Sequence, residues 1–133
     1  MKRILILFTL LFMIGCSSSR IDNDFDNEIV RFSKEIQSYS FESIRVDKES
    51  SKVKAVDLIG SDGAVIARRP LPETLSNEFY DIRYENDDLY FIQSVVIDDE
   101  SGIIYSEDAF INMNGLYRVE RIGGHTYSFA TYQ

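Results

Sequence analysis

Apolar and polar residues alternate with different periods along this chain, and each change of period marks an element. From Ile4 to Ile14 the chain is uncharged and almost wholly apolar, after the basic pair Lys2-Arg3 and before Gly15-Cys16 and a run of serines. Basic, then apolar, then small is the layout of a secretory signal segment, which is removed and says nothing of the fold. The run is also shorter than the roughly 18 apolar residues a stable bilayer span needs. Ser17 to Ile21 reads as a polar tether. Beyond it Phe25, Ile29, Phe32, Ile36 and Tyr39 fall at i, i+4, i+7, i+11 and i+14. That spacing predicts an amphipathic helix from about Asp24 to Tyr39. Asn23 or Asp24 can cap it, and Asp26 and Glu28 sit in the first turn, where the helix dipole favours negative charge.

After Ser40 the period changes to two. Ile44 and Val46 alternate with polar neighbours, Lys48 to Ser51 turns, and Val53 to Ile59 reads as a strand. Gly60-Ser61-Asp62-Gly63 is a strong hairpin signal, with Ala64 to Ala67 as the return. Pro70 and Pro72 then break the sheet, and Pro72 can open a short helix through Glu73, Leu75 and Phe79. From Tyr80 the pattern is that of an antiparallel meander. Tyr80, Ile82 and Tyr84 alternate, Glu85 to Asp88 turns, and Leu89 to Ile97 is apolar on both faces, as a central strand would be. Asp98 to Gly102 reads as the next turn and Ile103 to Tyr105 as its return. A loop over Glu107 to Met113 leads to Asn114-Gly115, a dipeptide that favours tight hairpins. Leu116 to Ile122 and Thr126 to Tyr132 follow, joined at Gly123-Gly124.

The expected architecture is α+β: an N-terminal amphipathic helix packed on an antiparallel β-meander of about six or seven strands. Phe25, Ile29, Phe32, Ile36, Phe91, Val95, Ile97, Tyr117, Val119, Tyr127 and Phe129 are its expected core. The chain divides into a signal segment (1–15), a tether (16–21) and a single domain (22–133). There is no internal repeat and no low-complexity segment.

Removing 15 of the 133 residues leaves 118, one domain's worth, and removing Lys2 and Arg3 takes the net charge from −8 to −10. So acidic a chain is a poor ligand for nucleic acid, whose phosphates need Lys and Arg to displace counterions. It is equally unsuited to adsorb directly on anionic lipid. Cys16 is the only cysteine, so no intramolecular disulfide can form and stability must come from the core, as it ordinarily does at this size. Most of the 8 tyrosines and 9 phenylalanines lie beyond residue 78, and aromatic density of that kind favours sheet.

A lone cysteine in a secreted chain needs an explanation. Met13-Ile14-Gly15-Cys16 resembles the lipobox of bacterial lipoproteins, although the family usually has Leu where Met13 stands. The resemblance implies cleavage before Cys16, a diacylglycerol on its sulfur and usually an acylated amino group. Stable anchoring takes about two acyl chains, each buried methylene contributing roughly 0.8 kcal/mol, so such a chain stays on the membrane. Ser17 rather than Asp follows the cysteine. By the sorting rule of enteric lipoproteins that favours the outer membrane, with the domain facing the periplasm.

Catalytic chemistry finds little to stand on. His125 is the only histidine and sits in a turn next to Gly123-Gly124, with no identifiable nucleophile to serve. One histidine without a thiol partner makes a poor zinc site, and no glycine-rich phosphate loop is present. Asp22, Asp24 and Asp26 have the alternate spacing of a calcium loop. Asn27 and Ser33 stand where that pattern needs its Gly and Glu, so helix capping explains these acids better. Asp98, Asp99 and Glu100, with Asp87 and Asp88 or Glu107 and Asp108, could hold a basic partner or a cation. The simpler reading is a solvated hairpin tip that discourages edge-to-edge association.

Ser101-Gly102-Ile103-Ile104-Tyr105 resembles the SGxxY loop of membrane-bound C-type lysozyme inhibitors, themselves small β-rich lipoproteins. That family's second motif and its disulfide cysteines are absent here. More broadly, residues 72 to 133 resemble small bacterial envelope proteins of unassigned function. These features lead to the expectation of a non-catalytic, lipid-anchored envelope protein without cofactor or metal. Its partner would be an envelope protein or a cell-wall component, met through Asp98, Asp99, Glu100, Ser101 and Tyr105. An inhibitor of a basic enzyme such as lysozyme is the alternative, favoured by opposite charge.

Overall fold

The computed structural model describes residues 24–132. The signal segment, the tether with Cys16, Asp22 and Asn23 lie outside the described residues. The described residues form a mixed α and β fold with two helices and eight strands in two antiparallel sheets. Helix α1 covers 24–37. A three-stranded sheet follows, β1 (Ser43–Glu49), β2 (Lys52–Ile59) and β3 (Val65–Pro70), in sequential order. After the one-turn helix α2 (Glu73–Ser76) come β4 (Asp81–Glu85), β5 (Asp88–Val96), β6 (Asp99–Tyr105), β7 (Arg118–Arg121) and β8 (Thr126–Ala130). These form a five-stranded sheet in the order β4-β5-β6-β8-β7.

Two departures from a single meander follow. The strands divide into two sheets at Leu71-Pro72, where the chain leaves β3 and turns into α2. Pro70 itself ends β3 without breaking the sheet, because β3 is an edge strand and its missing N–H is not needed there. The second departure is in the five-stranded sheet. β8 lies between β6 and β7, so the chain runs from β6 through the loop 106–117 to the sheet edge and then turns back inward. Asn114-Gly115, with Gly115 at φ +78°, is a turn within that loop and not a hairpin between neighbours. Periodicity identifies strands; it does not say which strands pair.

The core lies between α1 and the two sheets. Ile29, Phe32 and Ile36 are buried in one cluster with Val53, Val56 and Leu58 of β2, Leu75 and Phe79, and Leu89, Phe91, Ile103 and Tyr105 of β5 and β6. Phe91 is its centre, meeting Phe32 edge-on at 6.3 Å between centroids and Phe79 at 5.1 Å. On the opposite face of the larger sheet Tyr90, Ile92, Ile104 and Phe129 form a second, smaller cluster. Ile111 and Leu116 of the loop 106–117 cover it.

Of the expected core, Ile29, Phe32, Ile36, Phe91 and Phe129 are buried, and Phe25, Val119 and Tyr127 pack partly buried against it. Val95, Ile97 and Tyr117 are exposed. The cause lies in β5. Its register with β6 steps from Ile92 opposite Gly102 to Ser94 opposite Ser101, leaving Gln93 as an unpaired extra residue. Such a bulge reverses the in–out alternation beyond it, and the end of the strand projects past the core. Gly102 makes the bulge fit, since a Cβ there would collide with the Phe91 carbonyl oxygen. The glycine that reads as a turn signal is thus a strand residue. The turn itself is Ile97-Asp98, with Asp99 to Gly102 already in β6.

Candidate functional site

The two-residue turn between β5 and β6 is the most unusual surface on the described chain. Ile97 is 91% exposed, Val96 59% and Val95 42%. Ile97 also holds φ at +59°, a region β-branched residues rarely enter. Its left-handed backbone is disfavoured by roughly 1–2 kcal/mol. A hairpin of this length ordinarily takes Gly or Asn at such a position. Strain of this kind persists where surrounding structure enforces it and concentrates at functional sites. Here the paired strands on either side enforce it. Asp98 follows in the turn, and Asp99 opposes Val96 across the hairpin. No ion pair engages either carboxylate among the described residues. The tip is therefore an apolar point rimmed with negative charge.

The other residues singled out from sequence are spread along β6. Glu100 is drawn in: Arg83 donates to its carboxylate at 2.7 Å, and its own N–H donates to the Thr131 hydroxyl at 2.8 Å. Ser101 is half-buried, with Ser94 opposite on one side and Ala130 on the other. Tyr105 has no exposed surface, and its hydroxyl donates to Glu107 at 2.6 Å. Burial and the neighbouring Glu107 carboxylate push its phenol well above the ordinary tyrosine range. Asp98 and Asp99 sit together at the tip, whereas Ser101 and Tyr105 run back from it into the sheet. The Ser-Gly-Ile-Ile-Tyr segment is a strand interior.

A second group gathers at the far end of the same strands. An open groove of about 420 Å³ is lined by Gln37, Tyr84, Asp87, Glu107 and Asp108. At the same end of the sheet Leu89 is opposite Tyr105 and Tyr105 opposite Thr126, and the Ser106 N–H donates to the His125 carbonyl at 2.9 Å, so Asp88, Ser106 and His125 come next in sequence beyond that paired row. These three do not form a nucleophilic triad. Ser106 is fully buried, and its hydroxyl bonds Asp108 at 2.8 Å and the Phe110 carbonyl at 3.1 Å. His125 reaches the Ser106 carbonyl, not its hydroxyl, through Nδ1 at 3.0 Å, so that nitrogen carries a hydrogen. Among the described residues no three His, Cys, Asp or Glu side chains are placed to hold a metal ion.

Two features escape sequence reasoning, namely the strained exposure of Ile97 and the gathering of Asp88, Ser106 and His125 at one end of the sheet. A run such as Val95-Val96-Ile97 reads as core unless the bulge before it is known. The gathering appears only once strand register is fixed. No known protein family matches this chain, and no curated protein or solved structure matches it either.

Proposed function

We propose that this chain is a non-catalytic, lipid-anchored protein of the bacterial envelope that docks a partner through the β5–β6 hairpin tip. The observation carrying the docking is Ile97, an almost fully exposed β-branched residue in a left-handed backbone. Exposed apolar groups rimmed by polar ones mark interaction sites. The acidic rim at Asp98 and Asp99 suits a partner whose apolar pocket is edged with Lys or Arg. The anchor rests on the sequence from Lys2 to Cys16 and on Ser17, which favour an outer-membrane location facing the periplasm. In this reading α1 packs, through Ile29, Phe32 and Ile36, as the N-terminal element of the fold, and the tether hands the domain to the membrane.

A photo-reactive side chain in place of Val96, in the full chain within native envelopes, tests the docking. One discrete crosslinked partner is expected, lost when Ile97→Gly is added. Crosslinks no different from those obtained at Asp62, on the exposed β2–β3 hairpin turn, would overturn it. For the anchor, Cys16→Ala should release the chain from membranes and leave its precursor uncleaved; unchanged fractionation would remove that part of the reading. The second reading, an inhibitor of a basic enzyme such as lysozyme, is favoured by the same unpaired carboxylates. It predicts inhibition that Asp98→Asn and Asp99→Asn together weaken.

A further inference from the structure

The start of α1 is fastened to one end of the larger sheet. Asp26, in its first turn, accepts a hydrogen bond from the Thr126 hydroxyl, and its second carboxylate oxygen lies against Gly123 of the β7–β8 turn. β6 ends on the same side. The Ser106 N–H donates to the His125 carbonyl at 2.9 Å, and His125 Nδ1 meets the Ser106 carbonyl at 3.0 Å. Eight residues, Cys16 to Asn23, precede Asp24. Fully extended, a stretch of that length reaches no further than about 28 Å. A lipid on Cys16 therefore keeps this end of the sheet within that distance of its bilayer.

Two large apolar side chains stand in solvent at that same end, Phe110 at 72% exposure and Ile122 at 50%. Backbone bonds fix both. The Phe110 N–H donates to the buried Ser106 hydroxyl at 3.2 Å and to the Asp108 carboxylate at 3.1 Å, while the Tyr127 hydroxyl donates to the Ala109 carbonyl at 3.2 Å. Ala109 itself holds φ at +57°, a left-handed conformation that an L-residue adopts only at a cost. Ile122 sits at the end of β7, its N–H donating to the Thr126 carbonyl at 3.0 Å. Side chains on backbone already ordered lose little further freedom when they enter an apolar phase.

The charges around them select the phase. Asp24, Glu107 and Asp108 are exposed at this end, and the Arg121 guanidinium is engaged by the Gly123 and Gly124 carbonyls at 3.0 and 3.1 Å. Anionic lipid repels such a rim, whereas lipid with a neutral headgroup does not. We propose that Phe110 and Ile122 form a second membrane contact, entering a bilayer of neutral-headgroup lipid beside the lipid on Cys16, an inference that rests on the anchored reading above. Two side chains alone hold a bilayer weakly, but the anchor makes their encounter intramolecular, at high local concentration. Apolar groups of this kind sit roughly 5–10 Å into the boundary between headgroups and acyl chains. β5 leads away from this end for nine residues. At about 3.3 Å per residue, that length stands the domain on its end and holds Ile97 on the order of 25 Å from the contact, clear of the bilayer and open to a partner.

NMR of the lipidated chain in phosphatidylcholine nanodiscs carrying a headgroup spin label tests this without altering the protein. The Ile122 methyl and the Phe110 ring should be broadened several-fold more than the Ile97 methyl, which serves as the internal control. In Phe110→Ser combined with Ile122→Ser, both at exposed positions that leave the core intact, the neighbouring Thr126 amide should lose most of its broadening. Replacing part of the lipid by phosphatidylglycerol should weaken the contact. A chain that stays on the discs with Ile122 and Ile97 equally broadened overturns the contact and leaves the anchor standing. Thr126 broadening unchanged in the double variant overturns it too, and broadening that grows with phosphatidylglycerol overturns the choice of a neutral surface. A chain that carries no lipid on Cys16 by mass spectrometry and leaves the discs overturns anchor and contact together.

Discussion

The Thr126 hydroxyl, at the start of β8, donates a hydrogen bond to the Asp26 carboxylate in the first turn of α1, 100 residues away in sequence. Thr126 is fully buried, and the second Asp26 oxygen lies against Gly123, where a Cβ would come within 2.7 Å of it. The β7–β8 turn is thereby pinned to the beginning of the helix. Asp26→Ala strands a buried hydroxyl and should cost about 1–3 kcal/mol, read as a lower denaturation midpoint with an unchanged slope. Gly123→Ala should cost a similar amount through the same contact, and the two losses should not add, because both break one junction.

Gly102 carries the sharpest steric requirement in the larger sheet. A side chain there meets the backbone of Phe91 and the Gln93 nitrogen, and backbone cannot rotate aside as a flexible side chain can. Gly102→Ala should therefore undo the bulge and destabilise by about 3 kcal/mol, at the upper end of what overpacking costs. Thermal unfolding checks it. A variant as stable as the parent would mean that the bulge at Gln93 is absent in solution.

Ser33 lies on the buried face of α1 with no exposed surface, and its hydroxyl finds no hydrogen-bond partner among the described residues. A buried, unpaired hydroxyl is unfavourable, and alanine is the better helix former. Ser33→Ala should raise stability by about 1 kcal/mol in urea unfolding.

The helix and most strands were legible because their periods are local. Ile29, Phe32 and Ile36 recur at helical spacing and are buried together, and Gly60 to Gly63 turns the chain where its composition says it should. What was not legible is non-local. Nothing in residues 114–132 says that β8 pairs with β6, and nothing around Gln93 announces a bulge except a glycine on a different strand. The candidate site suffers from the same blindness. Asp98 and Asp99 read correctly as acids near a turn, but Val95 and Ile97 read as core because the alternation was carried through the bulge unbroken. Tyr105 read as a contact residue, whereas its partners across two strands bury it.

Stability should also depend on Asp88. Its carboxyl titrates near 3.8 when unfolded and is pushed up to about 6 in the fold, first by burial and then by Asp108 and Asp87. The folded state binds this proton more tightly, so stability grows as pH falls from above 6 toward 4 and carries a constant penalty above that range. Asp108 opposes this only at lower pH, because the Ser106 hydroxyl and Phe110 N–H hold its carboxyl below the usual range. Asp88→Asn should stabilise by about 2 kcal/mol at pH 7.5 and by much less at pH 4.5, measured by urea unfolding at both. Equal gains at the two pH values would show that the carboxyl is not perturbed.

Ile97 separates folding from docking. In the fold it contributes little: it is 91% exposed, so almost no apolar area is lost when its side chain is removed. Its φ of +59° suits glycine and strains isoleucine. Ile97→Gly relieves that strain but adds freedom to the unfolded chain, an opposing effect of about 0.5–1 kcal/mol. The net expectation is a change in stability within about 1 kcal/mol and no change in the sheet's exchange pattern. An ordinary solvated turn would then show no other consequence. A docking tip would, because the side chain removed is the one most open to a partner, and apolar anchors held at an interface commonly contribute about 2 kcal/mol or more. The docking reading therefore requires at least a tenfold loss of partner affinity in a variant whose fold and stability are intact, and affinity within twofold of the parent would refute it.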